Sequence, residues 1–464
     1  MKTQMTWLIM FLGILLILAG IVAGKTVSSY AVEVNGPFGM GKITATQKKV
    51  DSEKMKPMTA SDIERLKKAI KISEIAYTSE KKSFLQGNRK SIETNIMGTN
   101  TVYSKFSKIQ LAGGSFFTER AEKESSRVAV IDQKLAVKLF NTVEAVGNEI
   151  TIFEENFSVI GVISTDSSII NGLIDDGIPD IYIPASTFFE LNKNAAITHI
   201  EIKSPFSDTL GNNSKLVIKG MEAINRNPDN YSIIDFNIEQ AGINNRSGIL
   251  IFLYGFITIL LAVFYIKREI SSILGLIIKE AKIEYFSGIL KKNLTVLSLL
   301  LAKTIAVAGF IILVWNFIKF NCYIPPELIP ADLTDVGYFK ELLHNTIING
   351  NANPAYTVSK SVKVLKISEK ITNVSFIASL FPGLVFFYAG LKQARVLKTD
   401  TFKLLLQLAI LFLVALFILA GTVIYFKLPL MLTLSSLTVI WVFICANSVK
   451  PEEPSEREVY SSVN

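Results

Sequence analysis

The sequence predicts a membrane α-helical bundle of about six transmembrane helices, with a large α+β extracytoplasmic domain inserted between the first helix and the second. Three observations predict it. An apolar run occupies residues 6–23, polar and foldable sequence without a membrane segment fills 25–247, and from residue 248 onward the chain is mostly apolar. The totals agree. The 464 residues are 50% hydrophobic, too apolar for an ordinary soluble protein, yet 19% charged, too polar for a chain held wholly in lipid.

A helical span needs about 20 apolar residues. Six stretches qualify: 6–23, 248–266, 295–318, 374–391, 402–424 and 428–446, the fourth interrupted by Pro382 and Gly383. Lysines and arginines in short loops set the direction. Lys267, Arg268, Lys279, Lys282, Lys291 and Lys292 lie between the second and third spans. Lys392, Arg395, Lys398 and Lys403 lie between the fourth and fifth, and only Lys427 between the fifth and sixth. Both basic loops, and with them both termini, are expected in the cytoplasm of a multi-pass cell-membrane protein, plasma or inner. Residues 25–247 and 319–372 are then outside. Val22-Ala23-Gly24 would also suit a signal-peptide cleavage site, but the length of the first run favours a retained anchor.

The expected division is a first-helix anchor over 1–24 and an extracytoplasmic domain over 25–247, with a strand-rich insertion at about 100–195. The second and third spans and the cytoplasmic segment between them occupy 248–318. An outer loop over 319–372 and the fourth span over 373–399 follow. Two further spans over 400–446 and a cytoplasmic tail over 447–464 complete the chain.

Within the outer domain, Ser61-Asp62-Ile63-Glu64 reads as a capping box opening a helix to Ile72, with Ile63, Leu66 and Ile70 on one face. Strands are expected over 74–84 and 91–97 around a Gly87-Asn88 turn, over 128–131, as a hairpin at 149–153 and 157–162, and over 180–183. A helix is expected over 133–140. Residues 199–203, a helix near 214–226 and residues 231–236 read as a β-α-β unit. In the 319–372 loop, 335–348 is helix-like and 362–367 alternates.

The composition excludes several functions. The only cysteines are Cys322 and Cys445, so the outer domain has no disulfide and no thiolate metal site. The only histidines are His199 and His344. His199 sits in an alternating strand pattern with no histidine near it, which reads as a strand-surface residue and not as a metal ligand. No nucleophile–base constellation stands out, so the chain is not expected to be an enzyme. The formal net charge of +8 fits positive-inside loops, and no basic stripe with aromatic platforms marks a nucleic-acid partner. The stretch 36–43 has the glycines and Lys42 of a phosphate loop, but Ile43 stands where a Ser or Thr would hold Mg²⁺. The apolar spans carry almost no Asp or Glu, so an ion-coupled relay is not expected either.

An ordered series of motifs carries a resemblance. It begins with Gly98-Thr99-Asn100 and Tyr103, continues through Leu111-Ala112-Gly113-Gly114-Ser115-Phe116-Phe117-Thr118, Val128-Ala129-Val130-Ile131-Asp132 and Leu135-Ala136-Val137-Lys138-Leu139-Phe140, and ends with Ala145-Val146-Gly147-Asn148-Glu149-Ile150 and Phe157-Ser158-Val159-Ile160-Gly161-Val162-Ile163. The series resembles the extracytoplasmic domain of MacB-type ABC transporter permeases. The motif residues Gly98, Asn100, Tyr103, Gly114, Asp132, Gly147 and Gly161 read as mainly structural, the glycines serving turns and close packing.

Lys267-Arg268-Glu269-Ile270 and the stretch 271–286 resemble the segment after the second helix of FtsX/MacB permeases. In that family the following turn docks on an ATPase subunit. The resemblance implies a coupling role for Lys267, Arg268, Glu269, Ile270, Leu276, Lys279, Glu280, Lys282 and Ile283. A short amphipathic segment with charged ends is also physically suited to press on a partner at the membrane surface. The resemblance covers 25–399. The long 319–372 loop and the last two spans are additions to it.

The resemblance implies a permease subunit that binds no cofactor itself, ATP and Mg²⁺ being held by a separate ABC ATP-binding subunit. It implies a homo- or heterodimer and leaves room for a membrane-fusion or adaptor protein. The expected work is export or extrusion of a peptide, lipoprotein or drug-like substrate. Two alternatives stand beside it: an FtsX-like regulator of a cell-wall hydrolase, and a receptor or scaffold without an ATPase.

Overall fold

The computed structural model describes residues 2–48, 57–88, 90–205, 212–280, 293–324, 359–397 and 400–449, with isolated residues between 285 and 344. Helix α1 (Lys2–Val34) leads to strand β1 (Lys42–Gln47), helix α2 (Ala60–Ile70) and the hairpin β2 (Ile75–Gly87) and β3 (Lys90–Thr99). Then come α3 (Tyr103–Phe106), β4 (Leu111–Gly114), α4 (Glu119–Lys123), β5 (Val128–Asp132), α5 (Gln133–Phe140), β6 (Glu149–Ile152) and β7 (Glu155–Ile163). The outer domain closes with α6 (Ile169–Ile174), β8 (Asp180–Pro184), α7 (Ala185–Leu191), β9 (His199–Lys203), α8 (Asn212–Ala223) and β10 (Tyr231–Asp235). The bundle continues with α9 (Phe236–Glu280), α10 (Leu294–Ile318), α11 (Lys360–Ala378), a π-helical turn (Ser379–Gly383), α12 (Leu384–Val396), α13 (Thr401–Tyr425) and α14 (Leu434–Ser448).

Among the described residues, five helical stretches are long and apolar enough to cross a membrane: α1, α9, α10, the run α11–α12 and α13. The sixth expected span is answered by α14, which has 15 residues and reaches only about 22 Å at ~1.5 Å per residue. Residues 428–433 before it are not helical.

Three helices outrun the lengths expected of them. Helix α1 continues to Val34, eleven residues beyond the apolar run, and α9 starts at Phe236, directly after β10. The alternating stretch 362–367 is not extended but lies in α11, which begins at Lys360. Its alternation misleads because Val362, Val364 and Leu365 are all buried against the other two helices. Of the helix expected over 335–348, residues 336–338, 340, 341 and 344 are helical, and 339, 342, 343 and 345–348 lie outside the described residues.

The ten strands of the described residues form one sheet, in the order β10-β1-β9-β2-β3-β8-β5-β7-β4, with β6 pairing β2 and β7. The strand-rich insertion is therefore not a separate layer. It joins the rest through the parallel pair β3–β8. The expected β-α-β unit forms as β9-α8-β10, with β1 inserted between its strands and antiparallel to both. The capping box sits two residues earlier than expected. Thr59 is the N-cap, and its backbone N–H donates to Asp62, while Glu64 is exposed and pairs with Lys67. Asp62 is drawn inward instead by Arg226, which is 7% exposed.

Alternation along the strands gives the sheet two unlike faces. One face carries Ile43, Ala45, Ile75, Ile96, Ile131, Ile181, Ile200 and Ile202, and α2, α8, α5 and α7 cover it as two apolar cores. The register puts Lys42, Thr44, Thr46, Thr78, Glu80, Lys82, Asn95, Asp180, His199 and Glu201 on the other. This polar face looks toward the start of α11.

Candidate functional site

The bundle is held by close approach of small residues, as apolar helices in lipid require. An added Cβ at Gly13 would stand 2.4 Å from the Phe387 nitrogen, at Gly20 2.5 Å from Ser379 Cβ, and at Gly390 2.7 Å from Met10 Cβ. Ser379 ties three helices together. Its hydroxyl lies 2.8 Å from the Tyr254 hydroxyl of α9 and donates to the Ile17 carbonyl of α1 at 3.2 Å. The expected interruption at Pro382 and Gly383 is the π-helical turn, which keeps the helix running from Lys360 to Val396.

Beyond the bundle, α1, α9 and α11 form a stalk. Val27, Tyr30 and Ala31 of α1 pack with Phe236 of α9 and with Val362, Val364 and Leu365 of α11, and Ile170 of α6 joins them. Polar bonds cross the same seam. Ser28 donates to Asn244 Oδ1 at 2.8 Å, and Arg246 pairs with Glu369 at 2.9 Å. The stalk meets the outer domain at the start of α6, where Tyr30 donates to Asp166 at 2.7 Å and Ser168 donates to Tyr30 at 2.7 Å. The turn after α13 touches the same place: Lys427 donates to Ser167 at 2.8 Å, and the Ile169 N–H donates to the Phe426 carbonyl at 3.2 Å.

The coupling residues inferred from sequence lie on the far part of α9. Lys267, Arg268, Glu269, Ile270, Leu276, Lys279 and Glu280 continue the helix without a break, so no separate segment begins at Ser271. Lys282 and Ile283 lie outside the described residues. Glu269 pairs with Lys303 of α10 at 3.4 Å, a partner the sequence reading did not single out.

The motif residues hold the sheet. A Cβ at Gly98 would meet the Phe188 side chain at 2.4 Å, and one at Gly161 the Ser115 carbonyl oxygen at 2.4 Å. Gly114 has φ +76°, and its Cβ would lie 2.1 Å from the Ile160 oxygen. Gly114→Ala is therefore expected to lower the unfolding temperature of the outer domain clearly. Gly172→Ala, with no neighbour within 4 Å, tests the specificity of that effect in the same melting experiment. Gly147 has φ +89° in open space. Asn100 donates to the Ile75 carbonyl at 2.9 Å, the Tyr103 ring lies tilted against that of Tyr182 at 5.7 Å, and Asp132 caps α5 through the Lys134 N–H at 2.9 Å.

The polar face holds buried charge. Lys42 Nζ is fully buried, donates to Glu201 at 2.8 Å and to the Phe106 carbonyl at 2.8 Å, and lies over the Phe236 ring. The lysine of the glycine-rich stretch 36–43 is thus committed to an ion pair inside the domain. His199, expected on a strand surface, is instead 5% exposed, with Nδ1 2.7 Å from the Thr46 hydroxyl, because β9 lies inside the sheet between β1 and β2. Burial presses the Glu201 carboxyl upward, but Lys42 and His199 outweigh it and hold it down at about 2. Burial pulls Lys42 below its usual value while Glu201 pulls it back up.

Glu80 and Asp180 differ. Burial pushes both carboxyls up, and for Asp180 the bond from Asn95 only partly opposes it. A raised folded value means their contribution is full below the ordinary carboxylate range and is lost as pH rises through the raised value. Glu80→Gln is therefore expected to raise the unfolding temperature at pH 7 by a few degrees and to leave it unchanged near pH 4, read by thermal melts at both pH values.

Residues 3–209 match the family described as the MacB-like periplasmic core domain. The chain is 19% identical over 197 residues to the uncharacterized ABC transporter permease YknZ of Bacillus subtilis (strain 168), covering 42% of this chain and 49% of the relative. It is 33% identical over 92 residues to the macrolide export ATP-binding/permease protein MacB of Syntrophobacter fumaroxidans, covering 20% of this chain and 13% of that protein. The crystal structure of the periplasmic region of MacB from Actinobacillus actinomycetemcomitans is 20% identical and aligns over 44% of this chain and 93% of that one, with a TM-score of 0.37. The chain spans about half the length of the first relative and a smaller part of the second.

Proposed function

We propose, from the match of residues 3–209 to the MacB-like periplasmic core domain, that the chain is a MacB/FtsX-like ABC permease and couples ATP hydrolysis by a separate ATP-binding subunit to movement of its extracytoplasmic domain. One observation carries the reading: α1, α9 and α11 run from the apolar bundle to the sheet without a break. The 45 residues of α9 reach about 68 Å at ~1.5 Å per residue, more than twice the ~30 Å apolar thickness of a bilayer. A helix of that length, fixed to β10 at one end, moves its far end when the other is displaced.

In this reading both termini and the far part of α9 are cytoplasmic. Lys267, Arg268, Glu269, Ile270, Leu276, Lys279 and Glu280, together with Lys282 and Ile283, receive the push of the ATP-binding subunit. ATP and Mg²⁺ are bound by that subunit. The permease works as a homo- or heterodimer, with room for an adaptor protein outside, and acts in export or extrusion of a peptide, lipoprotein or drug-like molecule.

The reading is tested by co-purifying the full chain with candidate ATP-binding subunits and measuring ATPase activity in nanodiscs. The chain is expected to retain one such subunit and to stimulate it. Glu269→Gln, which keeps side-chain volume and unpairs Lys303, is expected to reduce the stimulation at least fivefold while the subunit stays bound. Unchanged stimulation would remove Glu269 from the coupling path, and failure of every subunit to bind would remove the permease reading.

A further inference from the structure

A cavity of about 490 Å³ lies between the polar face of the sheet and the first turn of α11. That volume is in the ~300–1,000 Å³ range of small-ligand sites. Its floor is formed by β2, β3, β8 and β9. Its roof carries Ser359, Lys360, Ser361 and Lys363.

Charges of both signs line the cavity, and not all of them are paired. Among the described residues Glu80 has no hydrogen-bond or ion-pair partner, and Asp180 has only the Asn95 amide at 3.1 Å. Lys360 and Lys363 on the roof make no ion pair among the described residues, although both carboxylates feel their charge. The other cavity carboxylates are already engaged: Asp132 by the Lys134 N–H and the Thr165 hydroxyl, Asp166 by Tyr30, Asp175 by Lys134, Asp176 by the Ile178 N–H, and Glu201 by Lys42.

A second observation points the same way. His199 Nε2 and Glu201 Oε2 also belong to cavity-lining side chains, which are 7% and 2% exposed, and neither atom has a hydrogen-bond partner. Buried polar atoms are nearly always bonded, so two beside one polar cavity call for a partner that reaches in. The described residues contain no group of three or more His, Cys, Asp or Glu suited to a metal ion.

We propose that this cavity binds a zwitterionic ligand, a peptide of two or three residues with free ends, its ammonium on Glu80 and Asp180 of the sheet and its carboxylate on Lys360 and Lys363 of α11. Met97, Tyr103, Ile163, Ile174, Ile178 and Tyr182 line the same space and accommodate apolar side chains. The Glu201 and His199 atoms supply acceptor and donor capacity beneath the ammonium and the first peptide group. Such a ligand bridges the sheet and a stalk helix, so its occupancy is mechanically linked to the bundle. Binding itself needs no ATP-binding subunit, so its failure is distinguishable from failure of the permease reading.

The test uses the full chain in lipid nanodiscs and isothermal titration with Ala-Leu-Ala, its N-acetyl derivative and its C-terminal amide. Saturable one-to-one binding of the free tripeptide is expected, with each blocked form at least tenfold weaker. Glu80→Gln with Asp180→Asn should weaken the free peptide at least tenfold and leave the N-acetyl form unchanged. Lys360→Gln with Lys363→Gln should do the same against the amide. Circular dichroism on each variant checks the fold, and the comparison of blocked and free peptides on the unaltered chain stands without any variant. No binding, or equal binding of all three peptides, overturns the proposal. Variants that fold but weaken every peptide alike overturn the assignment of the two ends.

Discussion

Gly13→Leu is expected to disrupt the helix bundle. The Cβ alone would lie 2.4 Å from the Phe387 nitrogen and 2.7 Å from its Cα, and both are backbone atoms that cannot rotate away. Overpacking in a tight core typically costs about 1–3 kcal/mol, and it costs more when backbone must move. Here α1 lies at the centre of the bundle, with Met10, Ile14, Ile17 and Leu18 all buried. Separation of α1 from α12 also frees Gly20 from Ser379 and Gly390 from Met10, so three close approaches are lost together. Size-exclusion chromatography and thermal unfolding in detergent should show aggregation or a large loss of unfolding temperature. Gly421→Leu, on α13 with no neighbour within 4 Å, should change little in the same assay.

The second large effect is expected at the ion pair beneath α11. Lys42→Met leaves Glu201, 2% exposed, without its counter-charge. Breaking one half of a buried pair typically costs about 3–5 kcal/mol, because the remaining charge stays desolvated. The double variant Lys42→Met with Glu201→Leu should recover most of that loss, since it removes both charges. The pair also predicts an acid limb. The Glu201 carboxyl is held from an ordinary 4.5 down to about 2, so its stabilisation is present above pH 4.5 and is lost as pH falls from there toward 2. Thermal melts across that window should show the unaltered chain losing stability more steeply than the double variant.

Much of the architecture was legible because period and length are strong signals. The apolar runs marked the spans, and β2, β3, β5, β7, β8 and β9 alternated or ran apolar where expected. What stayed hidden depends on contacts between distant segments. The helix ends at Val34, Phe236 and Lys360 lie in sequence of mixed polarity, where no apolar run announces a span. Only mutual packing of the three helices explains why they continue. The alternation of 362–367 fits a strand as well as it fits a helix buried on more than one side.

The polar face of the sheet was the least visible feature. Lys42 belongs to a glycine-rich stretch that suggests phosphate binding, and His199 to a pattern that suggests a solvated edge. Their burial follows from the order β1-β9-β2, which pairs strands separated by up to about 160 positions in the chain. A charge pair joining residues 42 and 201 leaves no local trace in either segment. The coupling residues on α9 were visible through resemblance and charge, but the Glu269–Lys303 pair needed the neighbouring helix to appear.

The central claim is that the stalk carries motion between the ATP-binding subunit and the outer domain. It is tested most directly by joining α9 to α11. Arg246 and Glu369 form a 2.9 Å ion pair across these helices above the bundle. With Cys322 and Cys445 replaced by serine, Arg246→Cys and Glu369→Cys can be linked by a short bifunctional thiol reagent. The measurement is ATPase activity of the bound ATP-binding subunit before linking, after linking and after cleavage of a reducible linker. The account predicts that linking abolishes the stimulation given by the permease and that reduction restores it. Full stimulation with the helices quantitatively linked would contradict it.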